Sequence, residues 1–290
     1  MDTLAILLRF GTYILLSLIA GVPLFLWLSL GPVRGRTAFM RVRIAHALLL
    51  VLGAALGVAA LLAATASMAG KTLLPVDWDM VALILSATAS GKAILARTVL
   101  LLAILPLTMT ASLRATALIS TLAAATLAWS GHAAASEGMA GWLHVLADIV
   151  HILAAALWIG GMACVLLSLR QAQGGTTLPM LRAFALIGSV TVGLLVATGI
   201  INSVMIVGID ALPSSLGTLY GRLLAIKVAA FLAMLLLAAN NRFRLAPAFE
   251  RNAIATRPAL RRAIAVEILL AALILALVAW LGTIDPAGAA

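Results

Sequence analysis

Long runs of apolar residues follow one another along almost the whole chain, and short polar segments separate them. Such runs are typical of helices that cross a lipid bilayer, because about 20 residues of α-helix span its hydrocarbon core. That core contains no water, so the backbone must satisfy its own hydrogen bonds, and a helix does this within one segment. The pattern therefore predicts an all-α protein, a polytopic membrane bundle of transmembrane helices.

Eight of these runs predict transmembrane spans, and we expect them to form a single integral membrane domain over residues 1–290. The predicted spans cover residues 4–30, 44–68, 92–112, 115–131, 142–169, 182–208, 221–241 and 262–283. The segment 73–91 is shorter and is interrupted by Pro75, Asp77 and Asp79. We therefore expect this segment to form a loop at the membrane surface.

The composition supports a membrane protein and excludes several other classes. Hydrophobic residues make up 64% of the 290 residues, charged residues make up 10%, and the mean hydropathy is +1.21. Soluble domains carry about 25% charged residues. Cys164 is the one cysteine, so the chain offers no disulfide and no pair of thiolates for a metal. The sequence shows no nucleophile–base arrangement, phosphate loop or hydrolase motif, and we do not predict an enzyme.

The net charge of +10 does not indicate a nucleic-acid partner, because the basic residues lie in short loops between apolar runs. On one side of the predicted bundle these loops contain 13 arginines, namely Arg34, Arg36, Arg41, Arg43, Arg114, Arg170, Arg182, Arg242, Arg244, Arg251, Arg257, Arg261 and Arg262. The other side has Lys71, Lys92 and Arg222. Loops rich in Lys and Arg stay in the cytoplasm, so we expect the arginine-rich side to be cytoplasmic and both termini to lie outside.

The two halves of the chain resemble each other. The segment TASGKAILAR (88–97) matches TLYGRLLAIK (218–227), since both read Thr-x-x-Gly-base-x4-base. We therefore predict two tandem four-helix halves, 1–131 and 132–290. Because each half contains an even number of spans, the halves would have the same orientation, related by an axis along the membrane normal.

Polar residues are rare inside the spans, yet three of the four histidines lie in or beside the fifth span. His144, Asp148 and His151 are spaced i, i+4, i+7, so they share one face of a helix. His132 follows the fourth span on the same, outer side of the membrane. Ionisable groups within spans are costly and are usually functional. The sequence thus predicts that these four side chains converge near the outer surface.

The residue types favour a metal site at this place. Imidazole is a ligand for copper, zinc, iron and nickel, and a thioether adds a preference for Cu(I). Candidate accessory or path residues are Met139, Trp158, Met162, Asn202 and Met205. Two other interpretations stay open: the histidines are axial haem ligands on facing helices, or Asp148 is a counter-ion and the histidines are interfacial hydrogen-bonding groups.

Three further charged residues lie inside the predicted spans. Two of them, Arg97 and Lys227, each lie about six residues into a span, as Asp148 does. Arg97, Lys227 and Asp148 would therefore all lie ~9 Å below the outer boundary. An unpaired carboxylate in the membrane would be costly, so we expect Asp148 to be ionised and matched to one of these bases. Glu267 lies near the inner end of the eighth span, where the candidate partners at its depth are Arg182, Asn240 and Arg242.

Two more residues with metal-binding side chains lie away from this cluster. His46 follows the arginines at the cytoplasmic end of the second span. We expect it to snorkel or to cap a helix, and the alternative is a ligand at an exit site. Cys164 is expected to pack in the apolar core, as free cysteines most often do.

Three segments together resemble the copper resistance protein D (CopD) family. They are SGHAAASEG…LHVLADIVHILAAALWIGG within 130–161, VATGIINSVMIVGIDALPSSLGTLYGRLLAIKVAAFLAMLLLAANNRFRLAP at 196–247, and LRRAIAVEILL at 260–270. The resemblance covers nearly the whole chain and implies an eight-span bacterial inner-membrane protein of copper homeostasis. It also implies copper ligands at His132, His144 and His151, with Asp148 beside them.

The resemblance further implies what the protein does and with which partners. Family members are proposed to move copper across the inner membrane, sometimes with a periplasmic copper-binding protein of the CopC type as donor. Some relatives carry that donor fused at the N-terminus, and here we expect a separate chain. Two alternatives stay open: a membrane factor that delivers copper to a respiratory oxidase, and a redox protein that holds haem between the fourth and fifth spans.

Overall fold

The computed structural model describes residues 2–110, 112–131, 138–170, 176–209 and 215–285, and these residues form helices joined by short connections without a β-strand. The helices are α1 (Asp2–Ala69), α2 (Trp78–Ala87), α3 (Ala89–Met109), α4 (Leu113–Ala125), α5 (Gly138–Arg170), α6 (Thr177–Val207), α7 (Leu219–Asn240), α8 (Ala246–Arg251) and α9 (Ala253–Leu281). A 3-10 turn, Thr126–Ser130, follows α4, and a π-helical turn, Asn241–Leu245, joins α7 to α8. The predicted all-α fold class is confirmed.

Six of the described helical segments are long and apolar enough to cross a membrane, and the first of them contains two predicted spans. Helix α1 is interrupted at Gly31, whose backbone has φ 69° and ψ −176°. Side chains disfavour a positive φ, so glycine is the residue suited to this break. The two arms of α1 correspond to the predicted spans 4–30 and 44–68, and the arginine cluster lies just after the break.

The fourth predicted span, 115–131, is the one that differs most from a regular membrane helix. Its residues form the 13-residue helix α4 and then the 3-10 turn. A 3-10 turn rises about 2 Å per residue instead of 1.5 Å, so it lengthens this short segment. All eight predicted apolar runs are therefore helical, while six segments meet the length and hydropathy expected for a crossing.

The prediction of a surface loop at 73–91 is wrong. Residues 78–87 form helix α2, and α3 already begins at Ala89. Asp77 is the N-cap of α2, because its carboxylate accepts a hydrogen bond of 3.1 Å from the backbone N–H of Met80. Lys71 also donates to Asp77, at 2.8 Å, and this hydrogen bond lowers the pKa of the Asp77 carboxyl. Asp77, one of the residues that suggested a loop, thus starts a helix, and Asp79 lies in its first turn.

The first arm of α1 crosses α5 at a contact between backbones. A Cβ placed on Gly21 would lie 1.9 Å from the carbonyl oxygen of Ala156, and one placed on Gly160 would lie 2.1 Å from the carbonyl carbon of Gly21. Small residues allow such close helix crossings in membrane proteins. The crossing fixes the middle of α5, which carries the candidate site.

Two apolar clusters flank this crossing. The smaller joins α1, α3, α4 and the 3-10 turn, and includes Leu16, Ile19, Leu50, Leu101, Ile104 and Leu127. The larger joins α1 to α5, α6, α7 and α9, and includes Phe25, Trp158, Met162, Leu195, Met234 and Ala271. Helix α5 contributes residues 154–169 to the larger cluster, while its polar residues Asp148 and His151 contact α6.

The repeated motif has the same local structure in both halves. The hydroxyls of Thr88 and Thr218 accept hydrogen bonds from the backbone N–H groups of Gly91 and Gly221, at 2.9 and 3.1 Å, and so cap α3 and α7. A Cβ on either glycine would lie about 2 Å from the carbonyl oxygen of the preceding turn. The motif is thus a helix N-cap packed tightly on the segment before it. The tandem arrangement of the whole halves stays a prediction.

Candidate functional site

Helix α5 places His144, Asp148 and His151 on one face but at different depths. His144 is buried, whereas Asp148 and His151 are half-buried. Seven residues at ~1.5 Å each separate the two imidazoles by ~10 Å along the helix axis, while a metal–imidazole bond is ~2 Å long. Among the described residues, no group of three or more His, Cys, Asp or Glu side chains is close enough to hold a metal. His132 lies outside the described residues, so its predicted convergence with the others stays a prediction.

The contacts of His151 with Thr198 favour one tautomer of its imidazole. The Thr198 hydroxyl donates to the carbonyl of Leu194 at 2.6 Å, and its oxygen lies 2.9 Å from Nδ1 of His151. A hydroxyl has one hydrogen, so a Thr198 that donates to Leu194 accepts from His151, and in that arrangement Nδ1 carries the proton. With Nδ1 protonated, the Nε2 atom of a neutral ring holds the lone pair that binds a metal.

Asp148 is held by a residue of α6. The side-chain amide of Asn202 donates to its Oδ1 at 3.1 Å. Lys227 interacts electrostatically with both Asp148 and His151. Neither ion pair of the described residues includes Asp148, so its match to Arg97 or Lys227 stays a prediction. Asn202, predicted as an accessory or path residue, is placed by the structure as the group that orients the carboxylate.

Arg97, the corresponding base of the first half, has a different environment. It is buried, and its Nε and Nη2 donate to the hydroxyls of Thr126 and Ser130 at 2.9 and 3.0 Å. The 3-10 turn after α4 supplies both acceptors, so Arg97 joins α3 to that turn instead of pairing with Asp148. The two bases occupy equivalent positions in the repeat but have different contacts.

A cavity of about 420 Å³ lies beside His151, between α5, α6, α7 and α9, and we call it the outer cavity. Its polar lining comes from His151, Ser203 and Lys227, and its other walls are apolar. Met162 and Met234 both line it, so two thioethers face the same space. Sequence analysis missed Met234, although it lies seven residues after Lys227 and therefore on the same helix face.

A second cavity, of about 350 Å³, lies toward the arginine-rich end, and we call it the inner cavity. Its polar lining consists of Ser189, Asn241, Arg242 and Glu267. Glu267 is completely buried, and the side-chain amide of Asn241 donates to its Oε1. Trp158 and Leu235 line both cavities, so these side chains separate one from the other.

The partner of Glu267 differs from the three predicted residues. Arg182 donates instead to Glu250 at 2.8 Å, and Arg242 donates to the hydroxyl of Ser189. Asn241 is the neighbour of the predicted Asn240. The π-helical turn begins at this residue, because Pro247 has no N–H to donate to the carbonyl four residues earlier and the helix widens. The contact depends on how α7 packs against α9, which sequence periodicity does not reveal.

Four other residues considered in the sequence, Met139, Met205, His46 and Cys164, do not line either of these two cavities. Met139 is 77% exposed and Met205, near the end of α6, is 37% exposed; neither lines the outer or the inner cavity. The expectation that His46 snorkels is wrong: it is buried, donates from Nε2 to the carbonyl of Ile19 at 2.9 Å, and has the Thr108 hydroxyl 3.3 Å from Nδ1. Cys164 is buried, as expected for a core residue.

Comparison with curated proteins gives three relatives. Copper resistance protein D of Pseudomonas syringae pv. tomato is 38% identical over 188 residues, which are 61% of this chain and 60% of that protein. Inner membrane protein YebZ of Escherichia coli (strain K12) is 28% identical over 163 residues, 55% of each chain. Copper transport protein CutJ of Bacillus subtilis (strain 168) is 32% identical over 116 residues, 39% of this chain and 21% of that protein. The chain therefore matches 60% or less of the length of each relative.

Two family profiles match different parts of the chain. The profile "Copper resistance protein D-like, N-terminal domain" matches residues 1–142, and "Copper resistance protein D" matches residues 178–281. No solved structure matches the chain. The six long apolar helices agree with a multi-pass membrane protein. Together these matches show that the chain belongs to the copper resistance protein D family.

Proposed function

We propose that this protein binds copper at the periplasmic face of the bacterial inner membrane and moves it toward the arginine-rich, cytoplasmic side. The observation that carries the proposal is the free Nε2 of His151 beside a cavity that also contains two thioethers. Imidazole and thioether are ligands that copper prefers. The names of two relatives, a copper resistance protein and a copper transport protein, support copper as the cargo.

Copper would enter at the outer end of α5. His144 lies about two helical turns above His151, and His132 comes from the segment that precedes α5. We propose that these two histidines receive the ion, from a separate periplasmic protein of the CopC type, and that His151 takes it next. Asp148 lies between the two levels and is held in place by Asn202. A carboxylate at this depth lowers the cost of a cation inside the membrane.

The outer cavity has a basic residue, Lys227, in its lining and an acidic residue, Asp148, nearby. A lysine ammonium beside the cavity repels a free cation, and the Asp148 carboxylate offsets it. The pair thus keeps the entrance near neutral before copper arrives. We propose that the ion enters by coordination to His151 and not by electrostatic attraction alone.

The thioethers indicate the oxidation state of the cargo inside the cavity. Met162 lies 11 residues after His151, or ~16 Å along the axis, which is too far for one exchange of ligands. Met234 lines the same cavity from α7 and supplies a second thioether. Thioether ligands select Cu(I), so we propose that copper crosses the cavity as Cu(I).

We further propose eight crossings arranged as two tandem halves, 1–131 and 132–290, within one membrane domain and with both termini periplasmic. The matching caps at Thr88 and Thr218 support the repeat. The two halves would differ at the matching basic residues. Arg97 donates a hydrogen bond to the 3-10 turn, whereas Lys227 lines a cavity. Transport would therefore belong to the second half, with the first half as its support.

Copper uptake into sealed proteoliposomes tests the proposal. We expect the wild-type protein to carry copper, and the double variant His144→Ala/His151→Ala to bind copper more weakly and to carry little. A wild-type protein that binds copper without carrying it would contradict transport and favour delivery to an oxidase. A Soret band in the purified protein would favour the haem interpretation instead.

A further inference from the structure

The Glu267 carboxyl has an unusual environment for an ionised group. It is completely buried in α9, and one of its oxygens accepts a hydrogen bond from Asn241. Among the described residues, the other oxygen, Oε2, has no hydrogen-bond partner. A carboxylate accepts up to about four hydrogen bonds, and burying its charge with so few is costly. A proton on Oε2 would remove that charge.

The charges around Glu267 do not replace such a proton. Of the residues that line the inner cavity, Arg242 is the other ionisable one, and it donates to the hydroxyl of Ser189. On α6, Arg182 is bonded to Glu250 at 2.8 Å. Helices α5 and α7 contribute no ionisable side chain to the lining of the inner cavity. Glu267 therefore lacks a direct ion pair among the described residues.

The inner cavity gives the carboxyl a route to the arginine-rich side. The cavity of about 350 Å³ is lined by Glu267 at one place and by Arg242 and Phe243 at another, and Phe243 is 71% exposed. The side-chain oxygen of Asn241 and Nε1 of Trp158 also lack partners among the described residues. Polar groups that face a space of this size can hold a chain of water molecules, along which protons move.

We propose that Glu267 is a proton-binding site that exchanges its proton with the arginine-rich side through the inner cavity. The carboxylate takes one proton on Oε2 to give the neutral acid, and returns it by the same route. Asn241 donates to Oε1 in both states, so the exchange needs no rearrangement of the helices. Asn241 begins a π-helical turn, a feature often found at functional sites.

The Glu267 proton would also offset the charge of a copper ion during transport, an inference that rests on the proposed function. Trp158 separates the inner cavity from the outer one. A copper ion that enters the outer cavity adds positive charge to a medium of low polarity. Release of the Glu267 proton to the arginine-rich side would offset that charge, and its return would follow the departure of the ion.

Infrared spectroscopy of the purified protein tests the proton site without copper. We expect the carbonyl band of a protonated carboxylic acid, which shifts in D₂O and disappears as the pH rises. The band should be lost in Glu267→Gln, which keeps the shape and the contact with Asn241, and kept in the exposed control Glu250→Gln. Asn241→Leu should shift the pH at which the band appears. A band that is absent from the wild type, or unchanged in Glu267→Gln, would overturn the proposal.

Proteoliposomes with an internal pH-sensitive dye test the coupling. Because the proton leaves and returns on the same side, copper entry into the wild type should give a transient proton release that reverses as the ion leaves, and Glu267→Gln should lose this transient and slow uptake. Equal uptake with an equal proton signal in the variant would overturn the coupling. Absence of copper uptake in the wild type, with the infrared titration intact, would instead reject the proposed transport and leave the proton site standing.

Discussion

At the scale of single residues, the free lone pair of His151 depends on Thr198. The hydroxyl accepts from Nδ1 because its own hydrogen is donated to Leu194. A group that accepts the N–H of a metal-binding histidine orients its ring, and loss of that group typically costs about 10- to 100-fold in metal affinity. Thr198→Val keeps the shape and removes the acceptor, so we expect copper affinity to fall by about this factor, measured by competition with a chelator.

A matched control for that variant lies two turns earlier on the same helix. Thr191 also donates to the carbonyl four residues before it, at 2.8 Å, but has no hydrogen bond to a histidine. We expect Thr191→Val to leave copper affinity unchanged. Equal losses in both variants would show that the effect comes from α6 and not from the imidazole.

The charge balance between Asp148 and Lys227 is testable by a double-mutant cycle. Asp148→Asn or Lys227→Met alone leaves one charge without its compensation inside the membrane, so each should lower the thermal stability in detergent. The double variant should lose less than the sum, by about 0.5–3 kcal/mol. Arg97→Met is the control, because Arg97 is bonded to Thr126 and Ser130 and its effect should add to that of Asp148→Asn.

At the scale of helices, the crossing of α1 and α5 is the contact that tolerates least change. A Cβ at Gly160 would lie 2.1 Å from the backbone of Gly21, so the two helices would have to separate. We expect Gly160→Ala to destabilise the protein by about 1–3 kcal/mol or more, as overpacking does, and to weaken copper binding because α5 moves. Melting temperature in detergent measures this. Gly188→Ala on α6 meets no atom within 4 Å and should cause little change.

At the scale of the whole molecule, the orientation in the membrane can be measured with a thiol reagent that does not cross membranes. Cys164 is buried and should not react, so the wild type serves as a blank. Thr72→Cys lies in an exposed loop of the outer end and should be labelled in cells with a permeable outer membrane. Arg251→Cys lies at the arginine-rich end and should be labelled only after lysis. The reverse pattern would invert the proposed direction of transport.

The path through the bundle is also a property of the whole molecule. Met162 is buried and lines the outer cavity, whereas Met205 lies on the surface of the bundle. Met162→Leu keeps the volume and loses the sulfur, so a permease that uses this thioether should carry copper more slowly while melting as the wild type does. Met205→Leu should carry copper at the wild-type rate. Equal rates in both variants would exclude a thioether ligand at Met162.

Sequence alone determined where the long apolar helices lie, though not α2, and it determined the membrane class and the family. Apolar runs of this length have one stable form in lipid, so all eight predicted spans are helical without any knowledge of their neighbours. The face shared by His144, Asp148 and His151 follows from helical periodicity in the same way. These properties depend on residues close together in the chain.

Tertiary structure decided which side chains meet, because that depends on residues far apart in the chain. Arg97 and Lys227 have the same place in the repeated motif. Arg97 donates a hydrogen bond to the 3-10 turn, whereas Lys227 lines the outer cavity. Met234 joins Met162 only because α5 and α7 line one space. Asn241, and not its neighbour Asn240, contacts Glu267 because the packing of α7 against α9 brings that residue to the carboxyl. Hydrophobic patterning places a residue along the membrane normal, and only the packing of helices places it around the bundle axis.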